Sequence, residues 1–138
     1  MSYQKEIITA IKQRRDDESK ESNELLDATN AINFGSVSSK IKEDYVTYRI
    51  ITSQHEQTFT SYIENSLIQF DIFSKSEKSC LEIMAKLETV FDDTDLSIND
   101  YEQIECTRNN SNFVGREDDT GLYHYYVEYD INVETDKN

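Results

Sequence analysis

The stretch Tyr123-His-Tyr-Tyr-Val-Glu-Tyr-Asp-Ile-Asn-Val133 carries the clearest structural signal in the chain. Every second residue is aromatic or β-branched, and most residues between them are polar. Successive side chains of a strand point to opposite faces, so this period of two predicts a strand with one face on a hydrophobic core and the other toward water. Such a strand requires partner strands and a layer that covers its apolar face.

Three other segments predict the partner strands. Tyr45–Thr52 and Ser66–Phe73 alternate and are rich in β-branched and aromatic residues, and Tyr101–Arg108 continues the pattern more weakly. The polar stretches Ser53–Tyr62 and Asn109–Gly121 are too long for tight turns, so we expect two projecting loops.

Two segments change to a helical period and predict the covering layer. Tyr3–Arg15 is a short amphipathic helix, and a broad apolar stripe runs along a helix from Ser76 to Phe91, with Ser76 or Ser74 available as its N-cap. The element order predicts an α+β fold, in which an antiparallel sheet of about four strands, a ββαββ core, is covered by helices on one face. Residues 1–138 form a single domain in this interpretation, with a helix and a polar surface excursion (residues 14–42, holding one small anchored piece) in 1–44 and the sheet-and-helix core in 45–134.

The composition excludes several functions. The 138 residues carry a formal charge of −14 and include no proline and three glycines, which argues against glycine-rich phosphate loops and against binding to nucleic-acid phosphates or anionic lipids. No long apolar run or leader pattern is seen, so we expect a protein that is neither secreted nor inserted in a membrane. Cys80 and Cys106 are interpreted as buried reduced thiols, with a disulfide or a nucleophile as the alternatives.

No residue is assigned a catalytic, cofactor-binding or metal-binding role. The chain lacks a GxSxG nucleophile motif, and the segment starting at His55 has Phe59 where a zinc protease needs its second histidine. His124 is interpreted as a hydrogen-bonded surface or sheet residue. The acidic tract that begins at Asp92 lacks the glycine and glutamate of an EF-hand loop. A metal-dependent enzyme that uses the acidic loops is kept as a minor alternative.

Four segments resemble a known family: Tyr45–Ile51, Ile63–Lys75, Glu77–Phe91 and Tyr123–Tyr129. In order and separation they are similar to the tail-completion, or tail-terminator, proteins of long-tailed bacteriophages and prophages. The resemblance implies a small α+β subunit that forms a ring, typically a hexamer, on the head-proximal end of the tail tube. There it would end tube polymerisation and form the head–tail joining surface, without catalytic residues or a cofactor. One departure is Asp44, at a position where the family often has proline.

The same resemblance implies the partners. They are further copies of the chain, the tail-tube protein and a head-completion or connector protein, while DNA passes through without specific binding and no membrane is involved. The implied location is the cytoplasm of the bacterial host during assembly and then the virion tail. The alternative function is an acidic binding or inhibitor protein that mimics nucleic acid and blocks a basic groove of its partner.

Apolar residues within the two predicted loops are candidates for contacts with other subunits. Phe59 lies in the first loop, and Phe113 and Val114 lie in the second, each among polar neighbours. Such isolated apolar side chains either anchor a partner or pack back onto their own domain.

The negative charge is concentrated near the C-terminus. Residues 1–91 hold 15 acids and 11 bases, whereas residues 92–138 hold 13 acids and 3 bases. In a ring that passes DNA, like-charge repulsion would keep the duplex away from an acidic wall. The candidate lumen residues are Glu117, Asp118, Asp119, Glu128 and Asp130, and a role in solubility alone is the alternative.

Overall fold

The structure is a computed structural model that describes residues 4–17, 19–92, 94–96 and 103–136. Tyr3 and Tyr101, the predicted first residues of a helix and a strand, lie outside these ranges. None of the helices described is long and apolar enough to cross a membrane. The elements, in chain order, are α1 (Gln4–Arg15), α2 (Lys20–Ala28), β1 (Ala31–Phe34), β2 (Tyr45–Gln57), β3 (Ser61–Ser74), α3 (Glu77–Phe91), β4 (Thr94–Asp95), β5 (Gln103–Arg116) and β6 (Tyr123–Asp136).

All strands belong to one sheet with the order β1-β2-β3-β6-β5-β4. β1 runs parallel to β2, and all other neighbours are antiparallel. The α+β class and the ββαββ order of the long elements are confirmed. The prediction of about four strands was too low, because the sheet gains β1 and the two-residue β4 at its edges. Segments this short do not show the alternation that predicts a strand.

The two projecting loops predicted from the sequence are largely strand, which corrects that prediction. β2 continues to Gln57 and β3 starts at Ser61, so only residues 58–60 form the turn. β5 continues through Asn109 to Arg116 and pairs with β6 over that length, apart from two bulges. These strand ends have water on both faces or at an open edge, so polar residues are tolerated and the alternating pattern disappears.

The polar excursion of residues 14–42 also contains more structure than predicted. Within it lie α2 and β1. The side chain of Ser19 caps α2 by accepting a hydrogen bond from the Ser22 backbone N–H, and Ser22 Oγ donates to the Arg14 carbonyl oxygen at 2.7 Å. Hydrogen bonds of short polar side chains therefore fix a segment that has few apolar residues to bury.

The core lies between the three helices and one face of the sheet, as predicted. Phe70 is at its centre, with ring centroids 5.4 Å from Tyr48, 5.0 Å from Phe91 and 5.9 Å from Tyr129. The buried set combines alternate strand residues with the apolar stripes of all three helices. Ser76 caps α3 by accepting from the Ser79 backbone N–H, also as predicted.

Asp44, which departs from the family pattern, has a conformation that proline cannot adopt. Its φ is 55°, whereas the proline ring fixes φ near −65°. The Asp44 carbonyl oxygen accepts from the Asn30 backbone N–H at 2.6 Å, and its carboxylate accepts from Ser74 Oγ at 2.5 Å. Asp44 thus ties the start of β2 to the residue before β1 and to the end of β3.

Candidate assembly surfaces

The face of the sheet opposite the helices, the open face, carries two of the five candidate lumen residues. Glu128 and Asp130 alternate with the buried residues Val127, Tyr129 and Ile131 and therefore belong to the open face. Glu128 lies opposite Gln69 and Asn110, and Asp130 lies opposite Leu67 and Thr107.

The other three acidic candidates lie elsewhere. Glu117, Asp118 and Asp119 are exposed in the turn between β5 and β6. Glu128 is five residues after Tyr123, the first residue of β6, and so lies about 16 Å farther along the strand. The structure therefore divides the five carboxylates into a pair on the open face and a group of three at one end of the sheet.

One end of the open face carries a row of stacked rings, the aromatic row, made of Tyr45, Phe73 and His124. The Phe73 ring stacks on Tyr45 at 4.9 Å and on His124 at 4.4 Å. His124 Nε2 lies 2.7 Å from Asp71 Oδ1, and Gln69 Nε2 donates to the same oxygen at 2.7 Å. His124 is thus a hydrogen-bonded sheet residue, as expected, but the row depends on cross-strand register, which the alternation within single strands does not reveal.

Phe59 is at the tip of the β2–β3 hairpin and is fully exposed. Thr58 Oγ1 accepts hydrogen bonds from the backbone N–H groups of Thr60 at 3.3 Å and Ser61 at 2.9 Å, so the turn is ordered around it. Packing of Phe59 onto its own domain is not observed. Its role as a contact residue remains a prediction that this position favours.

Phe113 and Val114 lie on β5 and not in a loop. The Phe113 ring is 4.9 Å from Tyr125 and 6.5 Å from Tyr123, but 44% of the residue is still exposed. Val114 is 54% exposed and sits at a bulge between Phe113 and Gly115. Phe113 therefore packs partly on Tyr125 of the neighbouring strand β6, whereas Val114 is accessible for contact with another surface.

The sheet has two long open edges. β1 pairs only with Tyr45–Tyr48, so within the described ranges Arg49–Gln57 has no strand on its outer side. β4 pairs only with Glu105 and Cys106, and no described strand pairs with the outer side of Thr107–Arg116. We call these stretches the β2 edge and the β5 edge. They lie at diagonally opposite corners of the sheet.

The described part of the chain contains both cysteines, together with His, Asp and Glu side chains of the kinds that bind metals. Cys80 and Cys106 are reduced and buried, and burial raises the pKa of Cys80 to about 11. Within residues 4–17, 19–92, 94–96 and 103–136, no three His, Cys, Asp or Glu side chains come together as metal ligands.

No family model matches the chain, and no curated protein is significantly similar to it. Among solved structures, the fold is similar to that of a chain in a structure described as the virion of a native gene transfer agent particle. The TM-score is 0.73 with 11% sequence identity, and the match covers 91% of each chain. At this identity the comparison shows a shared fold.

Proposed function

We propose that the chain is a structural protein of a bacteriophage or phage-like particle. It forms a ring that caps the head-proximal end of the tail tube, ends tube polymerisation and provides the head–tail joining surface. The observation that carries the proposal is the agreement in fold with a chain of a gene transfer agent virion over 91% of both chains. The four sequence segments that resemble tail terminators support the specific position in the particle, because they are the strands and the helix of that shared core.

The charge of the open face fits a ring through which DNA passes. Glu128 and Asp130 are on the open face, opposite the helices that the structure describes, in a chain with a formal charge of −14. A wall of this sign repels the phosphate backbone and so prevents adhesion of the duplex. In the proposed ring the open face lines the channel, and Glu117, Asp118 and Asp119 lie at one mouth of it.

The proposal includes the partners and the place of action. The chain binds further copies of itself, six in a complete ring, together with the tail-tube protein and a head-side connector protein. Phe59, at the exposed hairpin tip, supplies an apolar anchor for one of these contacts. The protein acts without catalysis, cofactor or membrane, first in the host cytoplasm and then in the virion tail.

Deletion of the gene from its phage or prophage tests the proposal. We expect electron microscopy to show tails or tubes of irregular length and heads without tails, and a plasmid copy of the wild-type gene to restore joined particles. Gold-labelled antibody should mark the junction of head and tail in intact particles. Normal, joined particles after deletion would exclude the proposal and would favour the nucleic-acid mimic.

A further inference from the structure

We propose that neighbouring copies associate by strand pairing, with the β5 edge of one copy against the β2 edge of the next, so that one sheet continues from copy to copy. The inference deepens the proposed function, on which it rests for closure of the ring. It concerns the contact between copies, which the fold comparison does not address.

The two edges match in length and direction. The β5 edge has ten residues and the β2 edge has nine. Across the sheet, β2 and β6 run one way, and β3 and β5 run the other. Copies related by rotation about an axis along the strands keep the same orientation, so β5 of one copy is antiparallel to β2 of the next.

The three exposed apolar residues of the two edges, Phe113, Val114 and Ile51, come together in one register. Beside them lies Ile50, which is partly buried against the core of its own copy. With Asn112 opposite Thr52 of the neighbour, Phe113 and Val114 come opposite Ile51 and Ile50. Ile51 is 42% exposed and, like Val114, is the extra residue of a bulge. Apolar cross-strand pairs of this kind stabilise antiparallel strands. Farther along, Asn110 comes opposite Gln54, which pairs two amide side chains.

The edges lack two of the usual protections against pairing, although each carries a bulge and charged side chains. Neither contains lysine or proline, the residues that most often block an exposed edge. A symmetric pairing of two β5 edges centred on Asn112 would place Arg108 opposite Arg116, which like-charge repulsion disfavours. The head-to-tail register avoids this clash and is therefore favoured over that two-fold pairing of β5 edges.

The register also sets the tilt of the strands in a closed ring. Asn112 pairs with Tyr126 of β6, whereas Thr52 pairs with Leu67, which in turn lies opposite Asp130 of β6. Within one copy, Thr52 is therefore four residue rows farther along the sheet than Asn112. Each copy contributes four long strands, so the offset of four rows amounts to about one residue, roughly 3.3 Å along the strand, for each step of about 4.8 Å between neighbouring strands. The corresponding tilt of about 35° is that of strands in closed barrels. The helices are then outside, and the open face is inside.

A disulfide between the edges tests this pairing. The double variant Gln54→Cys with Asn110→Cys places two thiols directly opposite, at a Cα separation that a disulfide spans. We expect oxidation of the purified chain at high concentration to give a ladder of covalent oligomers larger than dimers, with a 54–110 link found by peptide mapping. The control is Gln54→Cys with Asn132→Cys, in which the second thiol lies on the open face of a central strand. It should give no ladder.

Lysine substitution supplies a second measurement. Val114→Lys adds a charge to the β5 edge without touching the core, and Leu81→Lys adds one to an exposed apolar position of α3. By native mass spectrometry, Val114→Lys should weaken association at least about tenfold, whereas Leu81→Lys should not. Rings without a 54–110 link would overturn the strand pairing and leave the proposed function standing. A double variant that stays monomeric without cross-links would overturn the pairing as well, and the gene deletion would still decide the proposed function.

Discussion

His124 and Asp71 are joined across two adjacent strands, with 2.7 Å between Nε2 and Oδ1, on the face of the sheet opposite the three described helices. Asp71 is only 6% exposed, and the His124 ring stacks on Phe73. This pair and the aromatic row therefore give one end of the open face a connected set of hydrogen bonds and stacked rings, even though that face lies outside the hydrophobic core.

His124→Ala should lower the free energy of unfolding by about 1–3 kcal/mol, because it removes the stacked ring and leaves the buried Asp71 carboxylate with one partner fewer. Urea denaturation followed by circular dichroism measures the change. His55→Ala is the matched control, since His55 is exposed and only stacks on Tyr62 at 6.0 Å. Equal effects of the two substitutions would show that the pair contributes little.

Tyr129→Phe should destabilise the fold by about 1–2 kcal/mol. Tyr129 is buried, and its hydroxyl donates to Asp92 Oδ1 at 2.7 Å. Burial, together with the Asp92 carboxylate, raises the pKa of this hydroxyl, so it stays protonated and keeps donating. The control is Tyr126→Phe, which removes an exposed hydroxyl that accepts from Asn110 and should change stability by less than about 0.5 kcal/mol.

Cys80 should not react with thiol reagents in the folded protein. Burial raises the pKa of Cys80 to about 11, so the thiolate is scarce at pH 8, and access is blocked as well. We expect a chromogenic disulfide reagent to detect no thiol in native protein and two after unfolding in denaturant. Rapid modification of native protein at pH 8 would contradict the buried position of the thiols.

Asp17 should make stability fall in acid. Hydrogen bonds from Ser19 and Arg14 lower the pKa of Asp17 to about 2 in the folded state. Its contribution is therefore complete above the unfolded pKa near 4 and disappears as the pH falls through about 2. Asp17→Asn should destabilise at pH 7, and its difference from wild type should shrink toward pH 2. Asp118→Asn, in an exposed turn, serves as the control.

Phe59→Asp should impair assembly and leave the fold intact, because Phe59 is fully exposed and contributes nothing to the core. Complementation of the gene deletion with this variant measures the yield of joined particles. Phe59→Tyr keeps the ring and should complement normally. Full complementation by Phe59→Asp would remove the hairpin tip from the assembly contacts.

The sequence pattern predicted the helices and strands that have one apolar, buried face and one polar, exposed face. It missed the segments in which both faces are mainly polar. β6 and α3 have one buried and one exposed side, so their periods gave both the element type and most of the bounds. The extension of β5 through Asn109–Asn112 is polar on both faces and was mistaken for a loop. The α2 segment combines one fully buried leucine, Leu25, with the hydrogen bonds of Ser19 and Ser22, and a single buried leucine in a polar stretch is too weak a pattern to predict a helix.

The candidate surfaces were predicted less well, because they depend on pairing between strands. The sequence identified Phe59, Phe113 and Val114 as unusual apolar residues but placed all three in loops. Alternation also assigned Glu128 and Asp130 to one face of their strand, as the structure has them. The aromatic row and the two open edges arise only from register, since residues such as Phe73 and His124 are far apart in sequence.

The central position of β6 has a consequence for how the chain folds. The β2–β3 hairpin and α3 join residues close in sequence and can form quickly. The β3–β6 pairing joins Ser74 to Tyr123 and Ser61 to Asp136, so a long loop must close before it stabilises anything. We expect this step to limit the folding rate, with the hairpin formed early and β5 and β6 docking late onto the exposed side of β3.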